Sequence, residues 1–280
     1  MATPLAGHTN SYHTYGVDEA LAGIAQAGFR GVELSAVPGW TEHVPLDATE
    51  DIRRKLERHG LTAVSLSAHS DLTTGEGLQH GIRAVHWAAG AGIPIVNTAI
   101  GGHASQEENE RAFLDNIGQL ADAAEAAGVV VALEIHGDIM ATGEKTLPLL
   151  RKIGRPQVIK VNYDTGNVEF YGGVRAVDDL PKIAPHLAHV HLKDTTGGRA
   201  CGTSRRWGRG PWTSPGCWPF SAPPATRGRT RWSWSSGASP GRRWRRSPRP
   251  CAAPTDISTT SASRKNKSGT RLHRIGRRMP

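Results

Sequence analysis

The sequence lacks long apolar runs and contains little cysteine, and each shortage excludes a class of protein. No stretch reaches the roughly 18 apolar residues that a membrane span needs, so none is expected. The N-terminus has neither a basic start nor an apolar core of signal-peptide length, which favours a cytoplasmic protein. The spacing of the three cysteines (Cys201, Cys217, Cys251) matches no zinc motif, and an odd number cannot form a closed set of disulfides.

The net charge of +9 combines two segments of opposite sign. Residues 199–280 contain 19 lysines and arginines against one acid, whereas residues 1–198 contain 15 basic and 24 acidic residues. A basic chain would suggest a nucleic-acid partner, but the acidic balance of residues 1–198 argues against one. A small-molecule substrate is therefore the expected partner, and the sequence leaves a homo-oligomer open.

Short apolar runs alternate with longer helical patterns over residues 5–194. One predicted helix, 106–127, places Phe113, Ile117 and Leu120 on a single face. Regular alternation of strand and helix predicts a parallel sheet with covering helices, and the chain length suits a (β/α)8 TIM barrel. An open doubly wound sheet is the main alternative, but no glycine-rich phosphate motif follows the first strand. The candidate strands are 5–12, 30–36, 61–68, 93–99, 128–135, 157–163 and 186–192, one fewer than a closed barrel requires.

Three of these strands end in residues that can bind metal. The motifs are Leu-Glu-Ile-His at 133–136, Asn-Tyr-Asp-Thr-Gly-Asn at 162–167 and His-Val-His-Leu-Lys-Asp at 189–194. They place Glu134, Asp164 and His191 about one strand-plus-helix unit apart, so successive strand ends would deliver them to one mouth of a barrel. Asp164 could instead cap a turn or helix. For Glu134 a ligand role is favoured, because burying a carboxylate without a partner costs free energy. The pattern predicts a divalent-metal site.

After Gly198 the apolar residues show no periodic spacing that would predict a helix or a strand. The arginine, tryptophan, glycine, proline and serine content of this segment is typical of a GC-rich gene read out of frame, and a genuine basic tail is the alternative. Joining the third base of each codon to the first two of the next permits a strand over 225–235, with a carboxylate at the Trp234/Ser235 junction, and a final helix over 244–258. We therefore expect a barrel domain at 1–198, with its last βα unit missing or disrupted and two strand edges open. The tail at 199–280 is expected to be out of frame and disordered, and the chain as written to have low stability and little activity.

Together and in this order, the three motifs resemble the xylose isomerase-like TIM barrels, a family of sugar phosphate isomerases and epimerases. The resemblance covers about residues 5–198. It implies that Glu134, Asp164 and His191 bind Mn, Mg, Co or Zn, with a fourth carboxylate at the end of an eighth strand. It also implies that Glu134 acts as acid or base at the carbon beside a metal-polarised carbonyl.

Several further polar residues follow strand ends and are expected to contact substrate: His69, His103, His136, Asn167 and Lys193. His189 is expected to pack behind the sheet. Glu33 would either orient the site or form a structural ion pair.

The leading prediction is a metal-dependent isomerase or epimerase of a keto sugar or related polyol. A keto-inositol dehydratase would use the same site, because enolisation beside the carbonyl begins both reactions. A DNA-repair nuclease similar to endonuclease IV is a further alternative. Asn167 weakens it, because that enzyme has a histidine three residues after the aspartate.

Overall fold

The computed structural model describes residues 5–101, 107–137, 139–195, 204–205 and 231–234. All of them lie in one compact unit, Met1–Arg243, and the second unit, Trp244–Pro280, contains no described residue. The strands are β1 (Leu5–His8), β2 (Gly31–Val37), β3 (Thr41–Glu42), β4 (Thr62–Ser67), β5 (Ile95–Thr98), β6 (Val130–Glu134), β7 (Ile159–Asp164), β8 (Leu187–Leu192), β9 (Asp194–Thr195), β10 (Ser204–Arg205) and β11 (Arg231–Trp234).

The helices fill the intervals between the parallel strands. They are α1 (Val17–Gln26), α2 (Glu50–His59), α3 (Gly75–Ala91), α4 (Glu107–Ala127), α5 (Gly143–Ile153), α6 (Thr165–Gly172) and α7 (Ala176–Ile183), with short 3₁₀ turns at Thr9–Tyr12 and Ala184–His186. Thr74 caps α3 by accepting a hydrogen bond from the Gly77 N–H, and α3 ends at Gly92, whose φ of 75° suits glycine. No helix in the described part of the chain is long and apolar enough to cross a membrane.

Parallel pairing runs from β2 through β4, β5, β6, β7 and β8, and β1 pairs with β2. All seven strands predicted from the apolar runs are confirmed; six are shorter than predicted, and β2 has the predicted length but begins one residue later. The C-terminal ends of these parallel strands meet at one mouth, as in a TIM barrel.

The eighth position is filled by β11, which pairs in parallel with β8 on one side and β1 on the other. It is four residues long, and the chain that follows it lies outside the described residues. The expectation of two open strand edges was wrong, because backbone pairing with β11 closes the ring.

Apolar side chains fill the space between the strands and the helices. Phe113, Ile117 and Leu120 of α4 are all buried, which confirms the predicted helix face. A small second cluster, Ile95, Ala132 and Ala188, comes from three strands. Burial against these layers holds the strand ends, and the polar residues they carry, in fixed positions.

Candidate functional site

Glu134, Asp164 and His191 come together at the ends of three neighbouring strands. Glu134 ends β6, Asp164 ends β7, and His191 is the next-to-last residue of β8. All three are buried, and one potential ligand atom from each lies within 4.8 Å of the others. The structure therefore assembles the trio as a group able to hold a cation, and their role as ligands stays a prediction.

The two carboxylate oxygens of Asp164 have different partners. Oδ1 accepts hydrogen bonds from the backbone N–H groups of Gly166 (2.9 Å) and Asn167 (2.8 Å), so Asp164 caps α6. Oδ2 lies 2.6 Å from Lys193 Nζ and 3.9 Å from His191 Nδ1. Capping and cation binding were alternatives in the sequence, but they use different oxygens and are compatible.

Glu134 is held from both sides. Asn167 Nδ2 donates to its Oε1 (2.8 Å), and His69 Nε2 lies 2.8 Å from its Oε2. Burial alone would raise the pKa of Glu134, but His191 and His69 hold it well below the usual value. The carboxylate is therefore ionised and its orientation is fixed, as an acid–base group requires.

His191 faces a carboxylate with each ring nitrogen. Nε2 is 3.0 Å from Glu33 Oε2, and Nδ1 is 3.3 Å from Glu134 Oε2. Although burial lowers the pKa of His191, Glu33 and Glu134 raise it to about 10. Burial also disfavours the charged form of Lys193, but Asp164 raises its pKa. His191 and Lys193 thus offset part of the negative charge of three buried carboxylates, and a cation bound here would have to displace the His191 proton.

Glu33 lies in the barrel interior and combines both predicted roles. Its side chain is fully buried, Asn97 Nδ2 donates to Oε1 (2.6 Å), and Oε2 pairs with His191. A carboxylate that holds the second nitrogen of a candidate metal-binding histidine fixes the orientation of the ring. Glu33 is therefore an ion-pair partner and an orienting residue at once.

The prediction that His189 packs behind the sheet was wrong. Its Nε2 lies 3.1 Å from Ser65 Oγ and 3.4 Å from Glu33 Oε2, on the same side of β8 as His191. Residues two apart on a strand share a face, so His189 and His191 point the same way. Burial lowers the pKa of His189 to about 3, which keeps its ring neutral.

Four of the five predicted substrate residues lie near the trio. His69, Asn167 and Lys193 contact Glu134 or Asp164 as described above, while Nε2 of the half-buried His136 lies 3.0 Å from the Tyr171 hydroxyl. The fifth, His103, lies outside the described residues.

His8 is a functional candidate that the sequence reasoning missed. It ends β1, is 4% exposed, and stacks on His191 with ring centroids 5.4 Å apart. Burial lowers the pKa of His8 to about 4. The available signal was its place at the end of the first strand, but the predicted strand ran on to residue 12 and hid that end.

A cavity of about 740 Å³ has His69 on its wall, and Glu134 is not among its lining residues. This volume suits a small organic ligand. Acidic side chains outnumber the single arginine on its walls, so it favours neutral or cationic molecules over phosphorylated ones. Its charged lining residues are Glu42, Asp47, Asp71, Glu76 and Arg83.

The arrangement of strands and the buried trio agree with a match to a family model. The model is described as the xylose isomerase-like TIM barrel, and it matches residues 21–220. This chain belongs to the xylose isomerase-like TIM barrel family. The resemblance inferred from the three motifs is thereby confirmed.

Two curated relatives of this xylose isomerase-like barrel are enzymes acting on sugars or polyols. This chain is 27% identical over 199 residues to the L-ribulose 3-epimerase of Methylomonas sp. (strain DH-1), and the match covers 64% of this chain and 67% of that protein. It is 25% identical over 198 residues to the inosose dehydratase of Bacillus anthracis (strain CDC 684 / NRRL 3495), covering 63% of each. The match thus spans slightly less than two thirds of the dehydratase.

A solved structure shows the same fold. It is a xylose isomerase-like TIM barrel protein from Mycobacterium smegmatis in complex with magnesium, with a TM-score of 0.59 and 16% identity, covering 70% of this chain and 76% of that one. At this identity the likeness shows the fold alone, and it is the curated relatives that group the chain with sugar epimerases and dehydratases.

Proposed function

We propose that the protein is a divalent-metal-dependent epimerase or isomerase of a keto sugar or related polyol. The observation that carries this proposal is the buried meeting of Glu134, Asp164 and His191 at adjacent strand ends. The L-ribulose 3-epimerase relative supports the same class of substrate. The enzyme would be cytoplasmic and would have no nucleic-acid partner.

The residues present fit a divalent cation. Asp164 Oδ2 is buried without a well-aligned hydrogen bond, and its charged neighbour is Lys193 Nζ at 2.6 Å, so a metal cation would share this oxygen with Lys193 or displace the ammonium. Two carboxylates and one imidazole suit Mg, Mn, Co or Zn. Glu134, Asp164 and His191 would hold the metal, which supplies polarisation of the substrate carbonyl when bound.

The chain's own residues then orient the substrate and move a proton. Glu134 would remove the proton from the carbon beside the carbonyl, because it is ionised and is held in place by Asn167 and His69. Lys193, on the Asp164 side, and His136, two residues beyond Glu134, would contact substrate hydroxyls. The cavity beside His69 would receive the part of the substrate that does not react.

Epimerisation also needs a group that returns the proton on the opposite face of the carbon. We propose that this group is the carboxylate encoded at the Trp234/Ser235 junction in the shifted frame. In support, β11 covers Arg231–Trp234, within the segment where the shifted reading permits a strand ending in a carboxylate. The chain as written would then bind substrate and remove the proton, but it would return the proton poorly on the opposite face and so epimerise poorly. Resequencing the codons for 195–205 tests this, since an intact frame there would exclude the shift.

A keto-inositol dehydratase is the second candidate, because the inosose dehydratase relative matches over a similar length. Both reactions start with removal of the same kind of proton. They differ in the second step, since the dehydratase expels a hydroxyl as water and the epimerase returns the proton.

The deciding experiment is a screen of ketoses and keto-inositols in the presence of Mg²⁺ or Mn²⁺, with products identified by mass and stereochemistry. Both the chain as written and its frame-restored form are tested, with Glu134→Gln in each as the control. We expect the frame-restored form to epimerise or dehydrate a substrate and the control to lose that activity. Cleavage of abasic-site DNA without sugar turnover would refute the proposal and favour the nuclease.

A further inference from the structure

Both ring nitrogens of the buried His8 lack a hydrogen-bond partner among the described residues. The His8 side chain is 4% exposed. Buried polar groups are almost always hydrogen-bonded, because the loss of water is otherwise uncompensated. A ring nitrogen in this position calls for a ligand.

The unpartnered ring faces a fully buried carboxylate and a second imidazole. One ligand atom from each of His8, Glu33 and His191 lies within 4.8 Å of the others. The rings of His8 and His191 are stacked with an interplanar angle of 23°, and Glu33 Oε2 lies 3.0 Å from His191 Nε2. Two imidazoles and a carboxylate thus bring three potential ligand atoms close enough together to hold one cation.

This group uses the opposite edge of His191 from the trio at the mouth. Nδ1 of His191 faces Glu134 (3.3 Å) and Asp164 (3.9 Å), whereas Nε2 faces Glu33. The group at the mouth is rich in carboxylates, and the group with His8 is rich in imidazoles.

We propose that His8, Glu33 and His191 form a second cation site that is selective for metals of the zinc class. Imidazole ligands favour Zn²⁺ and Co²⁺, whereas carboxylate ligands suit Mg²⁺ and Mn²⁺. A neutral imidazole has one lone pair for a metal, so the two sites compete for His191. A cation bound at Nε2 leaves the ring proton on Nδ1, directed at Glu134, and thereby weakens binding at the mouth.

The test uses Co²⁺ alone, whose visible absorption reports its ligands, on full-length protein in which the mouth site is disabled. Asp164→Asn with Lys193→Met removes a carboxylate of the mouth together with its charge partner. We expect this double variant to bind one Co²⁺ per chain. Adding His8→Phe should abolish the absorption or weaken binding at least about tenfold, because the ring volume stays and both nitrogens are lost. Adding His86→Ala, an exposed histidine on α3, is the matched control and should change nothing.

His8→Phe also removes the two buried nitrogens that lack hydrogen bonds, so without metal this variant should unfold at the same or a higher urea concentration than its parent. This measurement is the control that a loss of Co²⁺ binding does not come from misfolding. The proposal is overturned if the double variant binds no Co²⁺, or if His8→Phe leaves the absorption unchanged. In the unmodified chain, Zn²⁺ should raise the Mn²⁺ concentration needed for half-saturation, and equal Mn²⁺ affinity with and without Zn²⁺ would contradict the competition. None of these measurements depends on catalysis, so their failure is distinct from failure of the proposed reaction.

Discussion

Asp164→Asn separates helix capping from cation binding, because the two oxygens of Asp164 have different partners. Asparagine keeps the acceptor for the N–H groups of Gly166 and Asn167, and it caps helices about as well as aspartate. It removes the negative charge 2.6 Å from Lys193 Nζ. Stranding a fully buried charge costs about 3–5 kcal/mol. Because the Lys193 side chain is 27% exposed, solvent screening reduces the expected loss to about 1–3 kcal/mol.

The double variant Asp164→Asn with Lys193→Met should recover most of this loss, since the stranded ammonium is gone. Urea unfolding with and without Mn²⁺ then measures cation binding directly. At a concentration 100-fold above the dissociation constant, one site adds about 2.7 kcal/mol to the free energy of unfolding. We expect this gain in the unmodified chain and none in either variant. Full Mn²⁺ stabilisation of the double variant would show that Asp164 is not a ligand.

Three further predictions concern other buried groups. In the frame-restored form, Glu134→Gln keeps an acceptor for Asn167 but cannot take up a proton, so kcat for the ketose should fall about 10²- to 10⁴-fold, and an unchanged kcat would exclude Glu134 as the base. Burial lowers the pKa of His80 below the value of 6.5 that it has in the unfolded chain. As the pH falls through 6.5, His80 is therefore protonated in the unfolded chain before it is protonated in the folded protein, and the free energy of unfolding decreases. His80→Gln should therefore show a smaller drop in unfolding free energy between about pH 8 and about pH 5, on either side of the ordinary histidine pKa, and an equal drop would contradict this origin. Asp179 accepts hydrogen bonds from Gly143 N (2.6 Å) and the Tyr163 hydroxyl (3.0 Å), so Asp179→Ala should cost about 3 kcal/mol in urea unfolding, with Asp179→Asn milder. If Asp179→Ala lowered the free energy of unfolding no more than Asp179→Asn does, these hydrogen bonds would contribute little to stability.

The local pattern of the sequence was sufficient for the fold and for the trio at the mouth. Apolar runs and helical spacing are properties of neighbouring residues, so the strand ends that carry Glu134, Asp164 and His191 could be located without a structure. The contacts between side chains inside the barrel could not be predicted from local pattern. His8 and Glu33 approach His191 only because the sheet closes on itself, which joins residues more than 150 positions apart.

Two errors have specific physical causes. His189 was placed behind the sheet although residues two apart on a strand share a face, and its neighbours Ser65 and Asn162 come from other strands. The strand Arg231–Trp234 was not predicted for this chain because its side chains do not form an apolar run. Its pairing with β1 and β8 is made by backbone groups, and such pairing cannot be recognised from the amino-acid composition.

The pairing of β11 separates what survives a change of reading frame from what does not. Every residue type supplies nearly the same peptide group to a parallel strand, so a segment of altered composition can still complete the architecture. A fourth carboxylate has no such substitute, because one side chain of one chemistry must stand at one place. If the tail is out of frame, this gene illustrates how an enzyme can lose its reaction while keeping its shape, and a cooperative unfolding transition would then be no evidence of activity.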